Sequence, residues 1–483
     1  MSTKTKSIKF NMIMNGILTL STIIFPLITF PYATRVLLPV GTGRVSFVTS
    51  IIAYFSMFAQ LGIPTYGIRA CAKVRDDKEK LSKTVHELLI INLVMVILAY
   101  IAFGISIASI PRFSREKELF FVMCITILLN ALGVEWLYKA LEEYTYITLR
   151  SIIFKVIGII AMFALIHNQN DYIIYGGVTI FATSASNILN FINLRKKIIL
   201  KPLGGYTLKK HIKPMLTFFF MSVATTIYTN LDSVMLGFMK GDAEVGIYTA
   251  AVKIRIILTS IVTSASVVLL PRASQYVEKG MMDEFYRILK KTMHFILLAA
   301  IPMALFFGLY ARESILLLSG KEYIDAVLPM QIIMPTLILI GISNLTGIQM
   351  MIPLGMEKQV LISEIAGAIV DLVLNFILIP DYGVAGAAIG TLVAEFVVLF
   401  IQLFFIRDKL VQLFSQIPLF KIALTGLIAS LTVIIGWQLN LGIFMTLLIG
   451  AAIFFGVYIV TLFITKDKLT LELSSQLLHK FKK

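Results

Sequence analysis

The residues of this chain whose types could do chemistry are charged or amide side chains set inside long apolar runs. Arg35, Arg44, Arg69, Lys253 and Arg255 are the cations of that set, Asp232, Glu364, Asp371 and Glu395 are acids, and Asn230 is a neutral polar group among them. A charge at the centre of a bilayer costs roughly 2.5–3.5 kcal/mol on insertion scales, so each one needs a partner, a hydrated cavity or a function. Arginine can make bidentate, charge-assisted hydrogen bonds to an anion and stays charged when partly desolvated. Asn230, Gln349 and the tyrosines Tyr32, Tyr66, Tyr228 and Tyr248 add neutral hydrogen-bonding groups to the set, and the four acids are candidates for taking up a cation, H+ or Na+.

Plainer roles compete for each position. Tyrosines near span ends commonly anchor at the interface. Glu135 and Lys139, four apart on one helix face, suit a local salt bridge, whereas Arg69 and Lys155 are close enough to span ends to snorkel. Lys253 and Arg255 lie about 200° apart around a helix, so at most one squarely faces a shared cavity. Arg35 is the strongest candidate for a ligand contact because Pro26 and Pro31 precede it and can bend the first span there. His294, near the start of a span, reads as an interfacial histidine.

No catalytic constellation accompanies these residues. The sequence holds no GxxxxGK[ST] phosphate loop, no CxxC, no HExxH and no GxSxG, so neither nucleotide hydrolysis, metal chemistry nor nucleophilic catalysis has a motif to rest on. Cys71 and Cys124 read as small buried hydrophobes.

The elements that must position the charges are membrane spans. Over 483 residues the chain is 58% hydrophobic and 14% charged, with a mean hydropathy of +0.89, far outside the range of soluble domains. A net charge of +16 does not point to nucleic acid here, because Lys and Arg concentrate in short segments between apolar runs, as membrane orientation demands. Spans are expected at about 10–36, 45–71, 85–109, 118–141, 148–167 and 172–194, then at 215–238, 247–270, 293–311, 326–352, 360–379, 386–406, 419–439 and 442–464. The basic N-terminus and its long apolar run read as an uncleaved first span. An even number of spans leaves both termini on one side, and Lys and Arg outside the spans then favour that side by roughly four to one, which makes it the cytoplasmic one.

Arg195–Lys213 (RKKIILKPLGGYTLKKHIK) carries seven Lys or Arg and no acid. It divides the chain into an expected N-terminal lobe (1–194) and, beyond the linker (195–213), a C-terminal lobe (214–406), followed by two extra helices (407–464) and a tail (465–483). Weak similarity between LLPVGTGRVSF and MLGFMKGDAEVGIYTAA fits two related bundles that rock about a shared centre. MMDEFYRILKK (Met281, Phe285, Ile288, Leu289), DKLVQLFSQ and the tail (Leu469, Leu473, Leu477, Phe481) read as amphipathic helices on lipid headgroups. Short outer connections leave no room for the domain that a glycolipid-modifying enzyme would need.

Several stretches carry a family likeness. FPYATRVLLPVGTG, LGIPTYGIRACAKVRDD, EWLYKALEEYTYITLR, IYTNLDSVMLGF, AEVGIYTAAVKI and GIQMMIPLGMEKQVLISEIAGAIVDLVLNFILIPDYGVAGAAIGTLVAE resemble the oligosaccharide (polysaccharide repeat-unit) flippases over about the first 400 residues. These Wzx-like proteins share the multidrug/oligosaccharidyl-lipid/polysaccharide exporter superfamily with drug/cation antiporters and lipid II flippases. Ala70 and Asp371 depart from the family pattern, which often has an acid and an asparagine there. The resemblance implies an all-α, MATE-like fold of about fourteen helices, with two six-helix lobes around a central cationic cavity and two extra C-terminal helices. It further implies a multi-pass transporter of the bacterial inner membrane that moves an undecaprenyl-pyrophosphate-linked oligosaccharide by alternating access, alongside membrane lipids, a polysaccharide polymerase and other assembly proteins. A cation-coupled drug or metabolite exporter of the same fold is the alternative.

Overall fold

The computed structural model describes residues 8–415, 417–438, 442–467, 469–472 and 474–475. Within them every regular element is helical, as hydrocarbon requires of segments that must satisfy their backbone polar groups internally. Ten helices are long and apolar enough to cross a membrane, or eleven when the pair Lys321–Ile333 and Thr336–Met351, bent by 48°, is taken as one span.

The gap between that number and the fourteen expected has physical sources. Helix α1 (Ile8–Gln60) runs for 53 residues with one non-helical residue, Leu38, at φ 57°. Straight, it would measure about 80 Å, more than twice a hydrocarbon core. It holds the first expected span and most of the second, which ends in the helix Ile63–Ala72, and the outer turn expected at 37–44 shrinks to the break at Leu38. A second long helix, Glu357–Phe405, breaks at Gly383 (φ 52°). The span expected at 215–238 is helical too, but Thr, Ser and Asn along it dilute its hydropathy.

Two compact units emerge, Met1–Gly246 and Ile247–Lys483. In the first, α1 is followed by α2 (Ile63–Ala72) and α3 (Lys78–Ser109), whose N-cap is Asp77. Backbone N–H groups of Lys80 and Glu79 donate to the Asp77 carboxylate, and these bonds hold it below the usual carboxylate range. Later come α4 (Tyr144–Leu165) and α5 (Lys209–Met239). Helix α5 packs along α1 and α2, which is why the unit ends beyond it.

Polar residues at membrane depth are engaged. Lys139 reaches Glu135 at 2.8 Å, the expected local bridge. Arg150, 5% exposed, shares that carboxylate at 3.3 Å and donates to Asn187 Oδ1 at 3.0 Å. Lys155 does not snorkel: it is buried, and its Nζ donates to Ser21 Oγ of α1 at 2.8 Å. Cys71 and Cys124 are free and buried.

The basic linker is fastened down. Glu87 of α3 is fully buried, and its carboxylate receives Lys210 Nζ at 2.7 Å, His211 Nε2 at 2.8 Å and the backbone N–H of Thr207 at 2.7 Å. Tyr66 holds the other ring nitrogen of His211 at 2.7 Å, and Ser82 Oγ accepts the Ile199 N–H at 2.9 Å. Lys209–Lys213, expected as linker, form the first turn of α5. Removing one partner from a buried ion pair typically costs about 3–5 kcal/mol. Glu87→Gln is therefore expected to speed limited trypsin cleavage after Lys209 by tenfold or more, an order of magnitude per 1.4 kcal/mol when opening limits cleavage. An unchanged cleavage rate would show that Glu87 does not hold the linker.

The second unit contains most of α6 (Asp242–Glu278), then α7 (Met282–Leu309), α8 (Glu357–Phe405), α9 (Leu419–Leu431) and α10 (Ile443–Ile464). MMDEFYRILKK is no separate surface helix. It forms the first turns of α7, with Phe285 and Leu289 fully buried in the unit's main core, so its apolar side faces protein. DKLVQLFSQ yields only a short helix, Leu410–Phe414, whose Leu413 joins the same core. In the tail, Leu469 is buried, while Leu473, Leu477 and Phe481 lie outside the described residues.

At Gly383 helix α8 folds back on itself. A Cβ built on Gly386 would stand 2.6 Å from Leu378 O, one on Gly390 2.5 Å from Asn375 Oδ1, and one on Gly367 2.4 Å from Val398 Cγ2. The paired positions step outward from the break, the signature of two antiparallel limbs. Glycine is needed at these contacts because the limbs approach closer than a side chain allows.

Candidate functional site

Within the first unit, four helices each present a polar face built at helical spacing. Helix α1 offers Thr49, Ser56 and Gln60, the helix Ile125–Leu132 offers Thr126 and Asn130, Thr179 and Thr183 follow at a four-residue step, and α5 offers Ser222, Thr226 and Asn230. Residues four apart share a helix face. Together they line a cavity of about 460 Å³ whose remaining wall is apolar, including Ile52, Met57, Gly62, Pro64, Met123 and Ile180. That volume falls in the range of small-ligand sites.

The local folding explains the exposure of these groups. Thr183 sits in a π-helical turn, Phe181–Ala185, a wide turn that re-aims side chains and is frequent at functional sites. Several hydroxyls rest on their own helix: Thr183 Oγ1 donates to Thr179 O at 2.8 Å, Ser222 Oγ to Phe218 O at 3.0 Å, and Asn230 Nδ2 to Thr226 O at 3.0 Å. Such bonds use the donors and leave oxygen lone pairs for a ligand. Ser56 is 7% exposed and its Oγ has no hydrogen-bond partner among the described residues. None of the side chains lining the cavity is charged.

Of the six residues expected to bind substrate, Asn230 alone lines this cavity. Arg35 is exposed on α1, its Nη1 donating to Pro31 O at 2.6 Å. Arg69 is exposed at the end of α2, its guanidinium 5.6 Å from the Phe218 ring. Arg44 lies in a compensated cluster, with Nε 3.2 Å from Glu116 Oε1 and 3.5 Å from Asp242 Oδ2 and its guanidinium over Tyr172. Arg112 bonds the other Asp242 oxygen. Burial pushes the Glu116 carboxyl above its usual range, and Asp242 adds to the effect against the pull of Arg44. Two glycines let the backbones meet beside this cluster, since a Cβ on Gly43 would fall 1.7 Å from Asp242 O and one on Gly246 2.0 Å from Pro39 O. The related stretches LLPVGTGRVSF and MLGFMKGDAEVGIYTAA thus supply both sides of one contact.

In the second unit Lys253 is half-buried, and Arg255 Nη1 approaches Glu395 Oε1 at 3.9 Å. Glu364 is half-buried on α8. Asp371, 1% exposed, and Asn375 face Gly390 across the α8 hairpin, and Tyr248 bonds the neighbouring Thr391 at 2.9 Å. Asp232 is buried on α5 of the first unit. Gln349 lies in a second π-helical turn, Leu345–Met351. Tyr32 and Tyr66 are committed within the first unit, to Ile166 O at 2.7 Å and to His211. His294 pairs with Asp467 at 2.9 Å.

The described residues make a polytopic all-α membrane protein, with a neutral polar cavity in the first unit and a buried, acid-bearing helical hairpin in the second. The chain belongs to the polysaccharide biosynthesis protein family, whose model matches residues 8–277, and a MatE model matches residues 218–377. It is a Wzx-like member of the multidrug/oligosaccharidyl-lipid/polysaccharide exporter superfamily, a transporter rather than an enzyme. A protein of Escherichia coli (strain K12) named "Putative O-antigen transporter" is 26% identical over 414 residues, 85% of this chain and 99% of the relative. One of the same name from Shigella dysenteriae is 25% identical over 395 residues, 79% and 95% of the two chains. Among solved structures, the lipid II flippase MurJ in an inward closed conformation is similar in fold, with a TM-score of 0.74 and 18% identity over 93% of this chain and 98% of that one. An inward-facing MATE multidrug transporter gives 0.61 and 15% over 84% and 99%.

Proposed function

We propose that this protein turns a polyprenyl-pyrophosphate-linked oligosaccharide from the inner to the outer leaflet of the bacterial cytoplasmic membrane, by alternating access, for a capsule, O-antigen or other surface polysaccharide. The observation that carries the reading is the neutral polar cavity of the first unit. A sugar crossing hydrocarbon must exchange its water hydrogen bonds for others, and hydroxyl and amide groups provide both donors and acceptors without fixed charge. The polyprenyl tail is apolar and stays in lipid. The diphosphate needs cations, and exposed Arg35 and Arg69 are the proposed contacts, with Lys253 and Arg255 secondary. Arg44, already facing two carboxylates, is the weakest of the set. Asp371, Glu395, Glu364 and Asp232 are the proposed coupling groups for H+ or Na+. Both termini would lie in the cytoplasm, and a polymerase would receive the product.

The MatE match supports a second reading, export of an organic cation by the same fold. Such a cargo calls for a carboxylate, and none lines the cavity among the described residues. Arg35→Ala discriminates between the two. Loss of one charge-assisted phosphate contact, about 1.5–3 kcal/mol, should lower surface polymer by at least tenfold while the protein remains folded in the membrane. Surface polymer at the wild-type level in the variant would remove Arg35 from the site.

A further inference from the structure

We propose that a basic cavity in the second unit, distinct from the transport site, binds the phosphate of an anionic phospholipid. The cavity, about 410 Å³, is formed by the first turns of α7, the start of α9 and the segment that follows α10. Its two acids are occupied: Asp467 Oδ2 lies 2.9 Å from His294 Nε2 and its Oδ1 accepts both the N–H and the hydroxyl of Thr470 at 2.9 Å, while Glu472 pairs with Lys291 at 2.5 Å. Arg287, also in the lining, bonds Glu284. Lys290, Lys421 and Lys466 line the same space and make no ion pair among the described residues. Three ammonium groups around one cavity therefore leave positive charge that a phosphate would neutralise.

The backbone at Lys466 is unusual. Asp467 N–H reaches back to Leu462 O at 3.0 Å and closes the end of α10, with Lys466 at φ 51° in the position where such helix ends ordinarily carry glycine. The cavity also lies at a definite level. Helix α9 begins at Leu419 and α10 ends at Ile464, so the lysines stand where apolar spans give way to polar chain. Phe420 and Ile464, one and two residues along the chain from the lining Lys421 and Lys466, are 78% and 74% exposed, apolar surface that suits acyl chains and not a free anion. Basic pockets between spans at headgroup depth are the usual form of anionic-lipid sites.

The test uses the full-length protein in phosphatidylcholine nanodiscs, with phosphatidylglycerol or inorganic phosphate added and retained lipid read by native mass spectrometry. Wild type is expected to retain phosphatidylglycerol over phosphatidylcholine by about tenfold, and Lys290→Gln/Lys421→Gln/Lys466→Gly to lose that preference. Lys466→Gly alone, which relieves the backbone, should weaken retention by about threefold at an unfolding temperature equal to or above wild type, so loss of binding is separable from loss of fold. Arg115→Gln/Lys117→Gln, remote in sequence and exposed, should retain the lipid as wild type does. The proposal is overturned if the triple variant keeps the preference, if the remote variant loses it equally, or if inorganic phosphate alone occupies the site and displaces the lipid.

Discussion

Thr226→Val/Asn230→Leu is expected to reduce flipping of a lipid-linked oligosaccharide by about thirtyfold or more while leaving the unfolding temperature within a few degrees of wild type. Both residues lie on the polar face of α5 that lines the first unit's cavity. Valine keeps the shape of threonine and removes its hydroxyl. The Asn230 side chain bonds only within its own helix, to Thr226 O and Thr229 Oγ1, so leucine there breaks no link between helices that the structure records. Each sugar hydroxyl left unsatisfied in a desolvated site costs about 1–3 kcal/mol, and two such losses multiply to at least thirtyfold at an order of magnitude per 1.4 kcal/mol. Initial rates in proteoliposomes check this. Flipping at the wild-type rate by a folded double variant would remove the cavity from the substrate path.

Asp371→Asn is expected to abolish the dependence of transport on an imposed ion gradient. Asp371 is 1% exposed and Asn375 fully buried, on one limb of the α8 hairpin, and their oxygens face Gly390 on the other. Asparagine has the shape of aspartate and no charge, so the hairpin can keep its packing while the group loses its ability to hold a cation. One elementary charge moved through 100 mV is worth about 2.3 kcal/mol, or about fiftyfold in a rate or accumulation ratio, and that is the magnitude expected to vanish. Proteoliposomes with imposed Na+, pH or potential gradients provide the readout. A variant that responds to all three as wild type does would show that Asp371 takes no part in coupling.

What the sequence made legible follows from the strength of the physical constraint behind each feature. Apolar runs locate helices well because hydrocarbon admits little else. They do not locate the joints: at Leu38 and Gly383 the chain turns with a single non-helical residue, and hydropathy alone cannot see so short a break. Glu135–Lys139 was readable because both partners share one helix face. Arg44 was not, since Glu116 and Asp242 come from distant parts of the chain. The snorkelling expected of Lys155 failed for the same reason: its partner Ser21 sits on another helix. Glu87 carries no local signal of its role, since only the fold brings the linker's Thr207, Lys210 and His211 onto it. The cavity stands out less in the sequence because its described lining carries no charge. Its signal was present as Ser222, Thr226 and Asn230, four apart on one helix, and became meaningful when three other helices presented matching faces.

The most direct test of the central claim compares two cargoes in proteoliposomes containing the purified full-length protein: a fluorescent polyprenyl-pyrophosphate oligosaccharide and the same polyprenyl pyrophosphate without sugars. If hydroxyl and amide groups of the cavity carry the glycan, wild type will flip the glycosylated lipid at least about tenfold faster than the bare one, and Thr226→Val/Asn230→Leu will erase the difference. Equal rates for both lipids in wild type, or a sugar preference that survives in the double variant, would contradict it.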